Sequence, residues 1–350
     1  MRLNSMVLPY VLLVSFLTPN MARFDQPAVE AINASPYAGV AVPLIDAYDT
    51  EKHSAAEFAA KTEFLQHSMK KAVWPWVFFN RIIGKGTNTK PASNKPYFIA
   101  IKGMAINEED EPLQDFYTIW RLALRLAKKL GAPGIFVDPE AYNNYQHYYV
   151  ANVAQQQGKT EVEVQNRLEA IGAKLISIAQ EEYPSAILWF TFTGLAAPIQ
   201  GFREASGRLT TSSYIIKGML DACHTSHADI KIISGGMTSL GYCYTSLKDL
   251  EEVIQKRANY FKPVLAKYPH LHLAGTIAPW LHQEGKKGWL RQGKCQKSEL
   301  HDIEAFKPAI QKLLAAYQYV WIYAAVVSDY NPYQPESAAR FNQACGNIFP

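Results

Sequence analysis

Short apolar runs alternate along this chain with longer segments whose apolar positions recur every three or four residues. The runs are "GVAVPLI" (39–45), "WPWVFF" (74–79), "PYFIAIKG" (96–103), "GIFV" (134–137), "AILWFTFTG" (186–194), "DIKIISGG" (229–236), "LHLAGTIAPW" (271–280) and "YVWIYAAVV" (319–327). Near-continuous apolar runs of this length, with few hairpin signals between them, predict parallel strands buried on both faces. The segments between them carry helix signals. "DFYTIWRLALRLAKKLG" (115–131) has helical spacing and stops at Gly131. "EVEVQNRLEAIGAKLISIAQEEYP" (161–184) ends at Pro184, and "SLKDLEEVIQKRANYFKPVLAKYP" (246–269) opens on Ser246 with Asp249 in its first turn, a capping-box-like start. "KSELHDIEAFKPAIQKLLAAY" (297–317) precedes the last run, with Pro308 placed to kink or divide it.

Eight strand–helix units joined by right-handed crossovers close most simply into an α/β fold of one domain, a (β/α)8 TIM barrel. An open doubly wound sheet is disfavoured because no glycine-rich phosphate loop follows the first run. No fixed-period repeat is visible. The linker-like stretch "GKGTNTKPASNKP" (84–96) is short enough to be a loop, so no domain boundary is placed there.

The N-terminus reads differently. "MRLNSMVLPYVLLVSFLTPNMA" has Arg2, an apolar run from Met6 to Leu17 and a small residue at Ala22. A basic start, a dozen apolar residues and a small exit residue describe a secretory signal peptide, and the run is short of the ~20 residues a membrane span needs. The expectation is therefore a signal peptide over 1–22 and a barrel over 23–350, secreted or otherwise extracytoplasmic, with no membrane attachment beyond the export signal.

Composition is globular, with 48% hydrophobic and 19% charged residues, and the net charge of +4 is too small to argue for nucleic acid or a membrane surface. The basic stretch "QEGKKGWLRQGKCQK" (283–297) is spaced by glycines and reads as a loop. Export makes disulfide bonds permissible among Cys223, Cys243, Cys295 and Cys345, for which three pairings exist. No CxxC pattern is present. "CHTSH" (223–227) and the His-x-His of His270 and His272 are weak metal signals, the latter at the start of its strand, away from the catalytic end. No metal and no cofactor are expected, and nothing in the sequence bears on oligomeric state.

The chemistry concentrates at "LGAPGIFVDPEAYNN" (130–144), where the fourth run ends abruptly in Asp138 and Glu140. Strand ends of a β/α barrel point into its catalytic face. Residues two apart on an extended strand point the same way, so both carboxylates can face one cavity. Two carboxylates that close disfavour joint ionisation, so one keeps its proton to higher pH, as a general acid requires. Asp46, Asn80, Lys102, Thr193, Trp280 and Tyr323 fall at or near other strand ends. Tyr142, Tyr242, Trp280 and Trp321 are candidate stacking platforms for pyranose rings, and Asp46, Asn80 and Tyr323 candidate hydroxyl binders.

This arrangement resembles the secreted β/α-barrel glycoside hydrolases, in particular the chitinase-like and hyaluronidase-like ones, which carry Asp-x-Glu at the end of the fourth strand. The resemblance implies that Glu140 protonates the glycosidic oxygen and that Asp138 assists by orienting a 2-acetamido group. It covers a few motif residues and the eight-run layout. The chain departs from the chitinase-like pattern in having Pro133 and Phe136 upstream, and "GGMTSLGYCY" (235–244) does not reproduce the Met-x-Tyr-Asp signature. The expected activity is hydrolysis of O-glycosyl bonds in a polysaccharide or oligosaccharide. A second acid is to be sought among Asp46, Asp49, Glu284 and Asp329. The alternative is a catalytically silent barrel that binds glycans or a partner protein, for which the apolar Met237 at the mouth of the sixth run is the position to watch. A metal-dependent hydrolase is a third class, resting on the histidines above.

Overall fold

In the computed structural model, the residues described are 10–15, 25–42, 55–79, 109, 111–139, 149–195, 210–237, 244, 246–278, 303–324, 333–336, 338–339 and 342. Eight strands run in parallel and close into a barrel in chain order. They are β1 (Tyr10–Ser15), β2 (Gly39–Val42), β3 (Ala72–Phe78), β4 (Gly134–Asp138), β5 (Ile187–Phe190), β6 (Lys231–Ser234), β7 (Leu271–Ile277) and β8 (Tyr319–Ala324). The helices between them are α1 (Gln26–Asn33), α2 (Ala55–Ser68), α3 (Glu111–Lys129), α4 (Val150–Gln157), α5 (Glu161–Glu182), α6 (Thr211–Ser226), α7 (Leu247–Lys267) and α8 (Ile303–Ala316).

The expected (β/α)8 barrel is present, but one stave differs from the sequence expectation. The apolar run assigned to an export leader supplies β1, which pairs with β2 from Leu12 to Val14 and with β8 from Tyr10 to Ser15. A chain beginning after Ala22 would lack this strand, leaving β2 and β8 without it between them. The run 96–103, read as the third strand, lies outside the described residues. The two differences offset each other in the count, and β4 remains the fourth strand.

Helix ends follow local chemistry. Thr160 caps α5 in a full capping box: its hydroxyl accepts from the Glu163 N–H and the Glu163 carboxylate accepts from the Thr160 N–H at 2.7 Å. Ser246 caps α7 by accepting from the Asp249 N–H at 3.1 Å. Gly131 follows α3 with φ +68°, a left-handed conformation that glycine adopts without penalty. Pro308 lies inside α8 without dividing it. On the outer surface, Arg121 and Arg125 of α3 grip Glu182 at the end of α5.

Large rings fill the barrel interior, where branched aliphatic side chains are the usual filling. Trp189 of β5 meets Tyr319 at 5.6 Å, Trp74 at 5.7 Å and Tyr10 at 6.4 Å, ring centre to ring centre. Phe136 of β4 meets Trp76 and Trp321, each at 5.4 Å. These edge-to-face and tilted contacts join β1, β3, β4, β5 and β8 across the axis. Register pairing of β6 with β7 is recorded only as far as Ser234 and Leu273. Beyond that point the buried Arg257 of α7 bridges the two strands, donating to the carbonyls of Ser234, at 2.7 Å, and Ala274. The rings of Phe261 and Tyr317 flank its guanidinium at 5.4 and 5.2 Å. Burial pulls its pKa down from the usual arginine value.

Candidate functional site

Side-chain directions at the mouth follow from the rings below. Phe136 points inward, so Asp138, two residues on, faces the same way. Asp138 closes β4 opposite Phe78 of β3, and its carbonyl accepts from the Phe79 N–H at 2.8 Å. Its side chain is 2% exposed. Pro139 follows it, removing one main-chain donor. On β8, Trp321 and Tyr323 likewise point inward, with centroids 6.0 Å apart. Asp138 and Tyr323 thus belong to the C-terminal end of the interior. Among the described residues there, Asp138 is the one carboxylate.

Thr191 and Thr276 belong to the same end. Thr191 follows β5 in a bend, one residue past Phe190. A Cβ on Gly275 would meet Leu313 and Tyr317 of the helical layer at 2.9 Å, so Gly275 faces outward and its neighbour Thr276 inward. Thr276 pairs in register with Trp321. Their main chains are anchored. The Thr191 N–H donates to Val137 at 2.9 Å and its carbonyl accepts from Met237 at 3.0 Å. The Thr276 carbonyl accepts from the buried Tyr244 hydroxyl at 2.7 Å. Both side-chain hydroxyls are buried without a hydrogen-bond partner. Between them β6 contributes Gly235, whose carbonyl accepts from the Trp321 indole N–H at 2.7 Å.

Of the residues singled out in the sequence, Asp138, Trp321 and Tyr323 are therefore brought to one end of the barrel. Trp321 is only 1% exposed, packed against Phe136 and Tyr323. It offers no open ring face to a sugar, in contrast to the platform expected of it. Met237 is partly buried against the core just past β6. Thr193 is turned to Ser234, donating to its hydroxyl at 3.1 Å. Glu140, Tyr142, Asp46, Asn80, Tyr242, Trp280, Asp49, Glu284 and Asp329 lie outside the described residues.

The weak metal signals fall elsewhere. Cys223 and His224 are in the last turn of α6 and His227 caps it. Cys223 is in no disulfide, and burial pushes its thiol up to about 12, leaving it unreactive. Cys243, Cys295 and Cys345 lie outside the described residues. His272 sits at the opposite end of the barrel against Tyr319, and burial lowers its pKa. Among the described residues no group of three His, Cys, Asp or Glu could hold a metal ion, and no helix is long and apolar enough to cross a membrane.

Sequence reasoning missed Thr191, Thr276 and Arg257. A buried arginine on a helix leaves no local trace.

No family model matches the chain, and no curated protein matches it. Among solved structures it is similar to a GH5-4 broad-specificity endoglucanase from an uncultured bacterium, at 10% identity and a TM-score of 0.48, over 94% of this chain and 86% of the other. It is similar to a class V chitinase from Pseudomonas fluorescens at 10% identity and 0.46, over 96% and 99%. It is also similar to a sugar phosphate isomerase/epimerase from Parabacteroides distasonis at 9% identity and 0.42, over 95% and 96%. At such identity nothing about substrate passes from these proteins to this chain.

Proposed function

We propose that the protein is a glycoside hydrolase, with Glu140 as general acid and Asp138 as its ionised partner. The observation that supports this most is the buried Asp138 carboxylate, inward-facing where β4 ends, with Glu140 two residues further on. A carboxylate in that position raises the pKa of a second acid nearby and so keeps it protonated near neutrality. Tyr323 and Phe78 supply aromatic groups at the same end, suited to a pyranose. Asp46, Asn80, Tyr142, Tyr242 and Trp280 are proposed as further sugar-binding residues, and the second catalytic acid is sought among Asp46, Asp49, Glu284 and Asp329.

The deciding experiment is release of reducing ends from a broad glycan panel, wild type beside Glu140→Gln. Wild type cleaves at least one glycan, and Glu140→Gln lowers that rate about a hundredfold to ten-thousandfold at unchanged thermal midpoint. Equal rates for the two proteins would remove Glu140 from the chemistry.

A second reading, a silent barrel that binds glycans or a partner protein, is favoured by one observation: Asp138 stands without a second carboxylate among the described residues of the mouth. Saccharide binding with no cleavage of any panel member would select it.

A further inference from the structure

We propose that His272 is an acid-sensitive latch at the N-terminal end of the barrel: neutral, its ring packs against Tyr319 inside the strands; protonated, it withdraws and loosens that end. The proposal does not rest on the sugar-hydrolase reading and concerns the opposite end of the barrel.

The direction of the ring comes from the register. Trp189 of β5 pairs with Ile233 of β6, and Ile233 pairs with His272 of β7. Paired residues of parallel strands share a face, and Trp189 meets Tyr319, Trp74 and Phe136 inside the barrel. Strand β7 gives the same answer by itself, since Gly275 faces the helices and His272 lies an odd number of positions before it. The His272 ring is half-buried and edge-to-face with Tyr319, centroids 6.1 Å apart. Tyr319 in turn holds Trp189, so the imidazole is joined to the aromatic packing of this end.

The surroundings set the response to acid. Lys231 pairs in register with Ile187, two residues before Trp189, so β6 places it on the inward face ahead of Ile233. Burial, then the charges of Lys231 and His270, hold the His272 pKa below the usual histidine value. From β8 the ring meets the phenol of Tyr319, beside Tyr10 of β1 in register, and burial raises both phenol pKa values, so neither supplies a negative charge. Among the described residues that lead into the strands here, the one carboxylate is Asp229, exposed ahead of β6. A proton on His272 therefore adds a cation to two others, with no carboxylate in the inward rows to receive it.

Because the folded-state pKa is lowered, the stability given by the neutral ring is whole above the ordinary histidine value of about 6.5 and is lost as pH falls below it. Glu182 and Asp221, also lowered, titrate in the more acid carboxylate range, so their losses come later in an acid titration.

The test uses the full chain. Thermal midpoints and near-ultraviolet circular dichroism are measured from about pH 7.5 to about pH 5 for wild type, His272→Gln and His272→Phe, and the His272 imidazole is followed by NMR in wild type and Lys231→Gln. The wild-type midpoint falls with acid by about 2 °C or more beyond that of either variant, and the ring signal falls with it. The imidazole titrates below the ordinary histidine value, and Lys231→Gln moves it upward. The inference is overturned if wild type and variants lose stability in parallel, or if the ring titrates at or above the ordinary value, as pairing with Asp229 would make it. If both His272 variants fail to fold, the NMR titration decides: a low value that Lys231→Gln raises supports the latch, and any other result removes it.

Discussion

The two ends of the barrel interior are built from different chemistry. Towards the N-terminal end, Tyr10, Trp74, Trp189 and Tyr319 pack ring against ring. The Trp74 indole donates to the Tyr10 hydroxyl at 2.9 Å, and burial pushes that phenol up to about 12, so it stays neutral. Trp189 also keeps an N–H without a conventional partner, but it is surrounded by ring faces, which accept weakly. Towards the C-terminal end β4, β7 and β8 carry Asp138, Thr276 and Tyr323, and Thr191 lies just past β5. A buried carboxylate and buried hydroxyls without partners weaken a core, whereas packed rings strengthen it.

Breaking the aromatic end should have the larger effect on folding. Deleting residues 1–22 removes β1 and with it Tyr10, so the expected outcome is loss of the cooperative thermal transition in near-ultraviolet circular dichroism. Retention of that transition would show that β1 is dispensable and would favour its use as a leader. Mass spectrometry of the purified protein, native or secreted, sharpens the point: the N-terminus should lie upstream of Tyr10.

Within the intact barrel, Trp189→Ala should cost about 3–5 kcal/mol in denaturant unfolding, because the cavity opens among rings that cannot collapse into it. Thr191→Val and Thr276→Val, which remove buried hydroxyls that have no partner, should instead be near neutral. Comparable losses at both ends would erase the distinction drawn between them.

The smallest effect belongs to the outer surface. Hydrogen bonds from Arg125, and then from Arg121, pull the Glu182 carboxyl down to about 2. A lowered folded-state pKa stabilises the protein above the ordinary glutamate range and is lost as pH falls towards the folded value. Wild type should therefore exceed Glu182→Gln in stability by less than about 1 kcal/mol at pH 6, with the gap narrowing from pH 5 towards pH 2. A gap that does not change with pH would show that the ion pairs contribute nothing.

The sequence carried most of the architecture and only part of the site. Seven of the strands stand out as apolar runs bounded by turn residues, and the capped starts of α5 and α7 are local signals that tertiary context did not override. β1 was not legible as a strand because six apolar residues behind an arginine have the same composition whether they form a buried stave or a leader. Asp138 was legible because an apolar run that stops at a carboxylate is a local event. Thr191 and Thr276 were not, since threonine is ordinary in strands and the lack of a partner exists only in three dimensions. Arg257 was hidden for a related reason: an arginine on an amphipathic helix reads as solvent-facing until the carbonyls it bridges are seen.

The central claim is that Asp138 faces the barrel mouth for chemistry rather than for folding. The most direct test is the pH dependence of glycan cleavage by Asp138→Asn, a change that keeps shape and removes charge. The expected result is a lower kcat with an unchanged thermal midpoint and an altered acidic limb, because the charge proposed to keep Glu140 protonated is gone. An Asp138→Asn protein that fails to fold, or one that cleaves with the wild-type pH profile, would contradict the account.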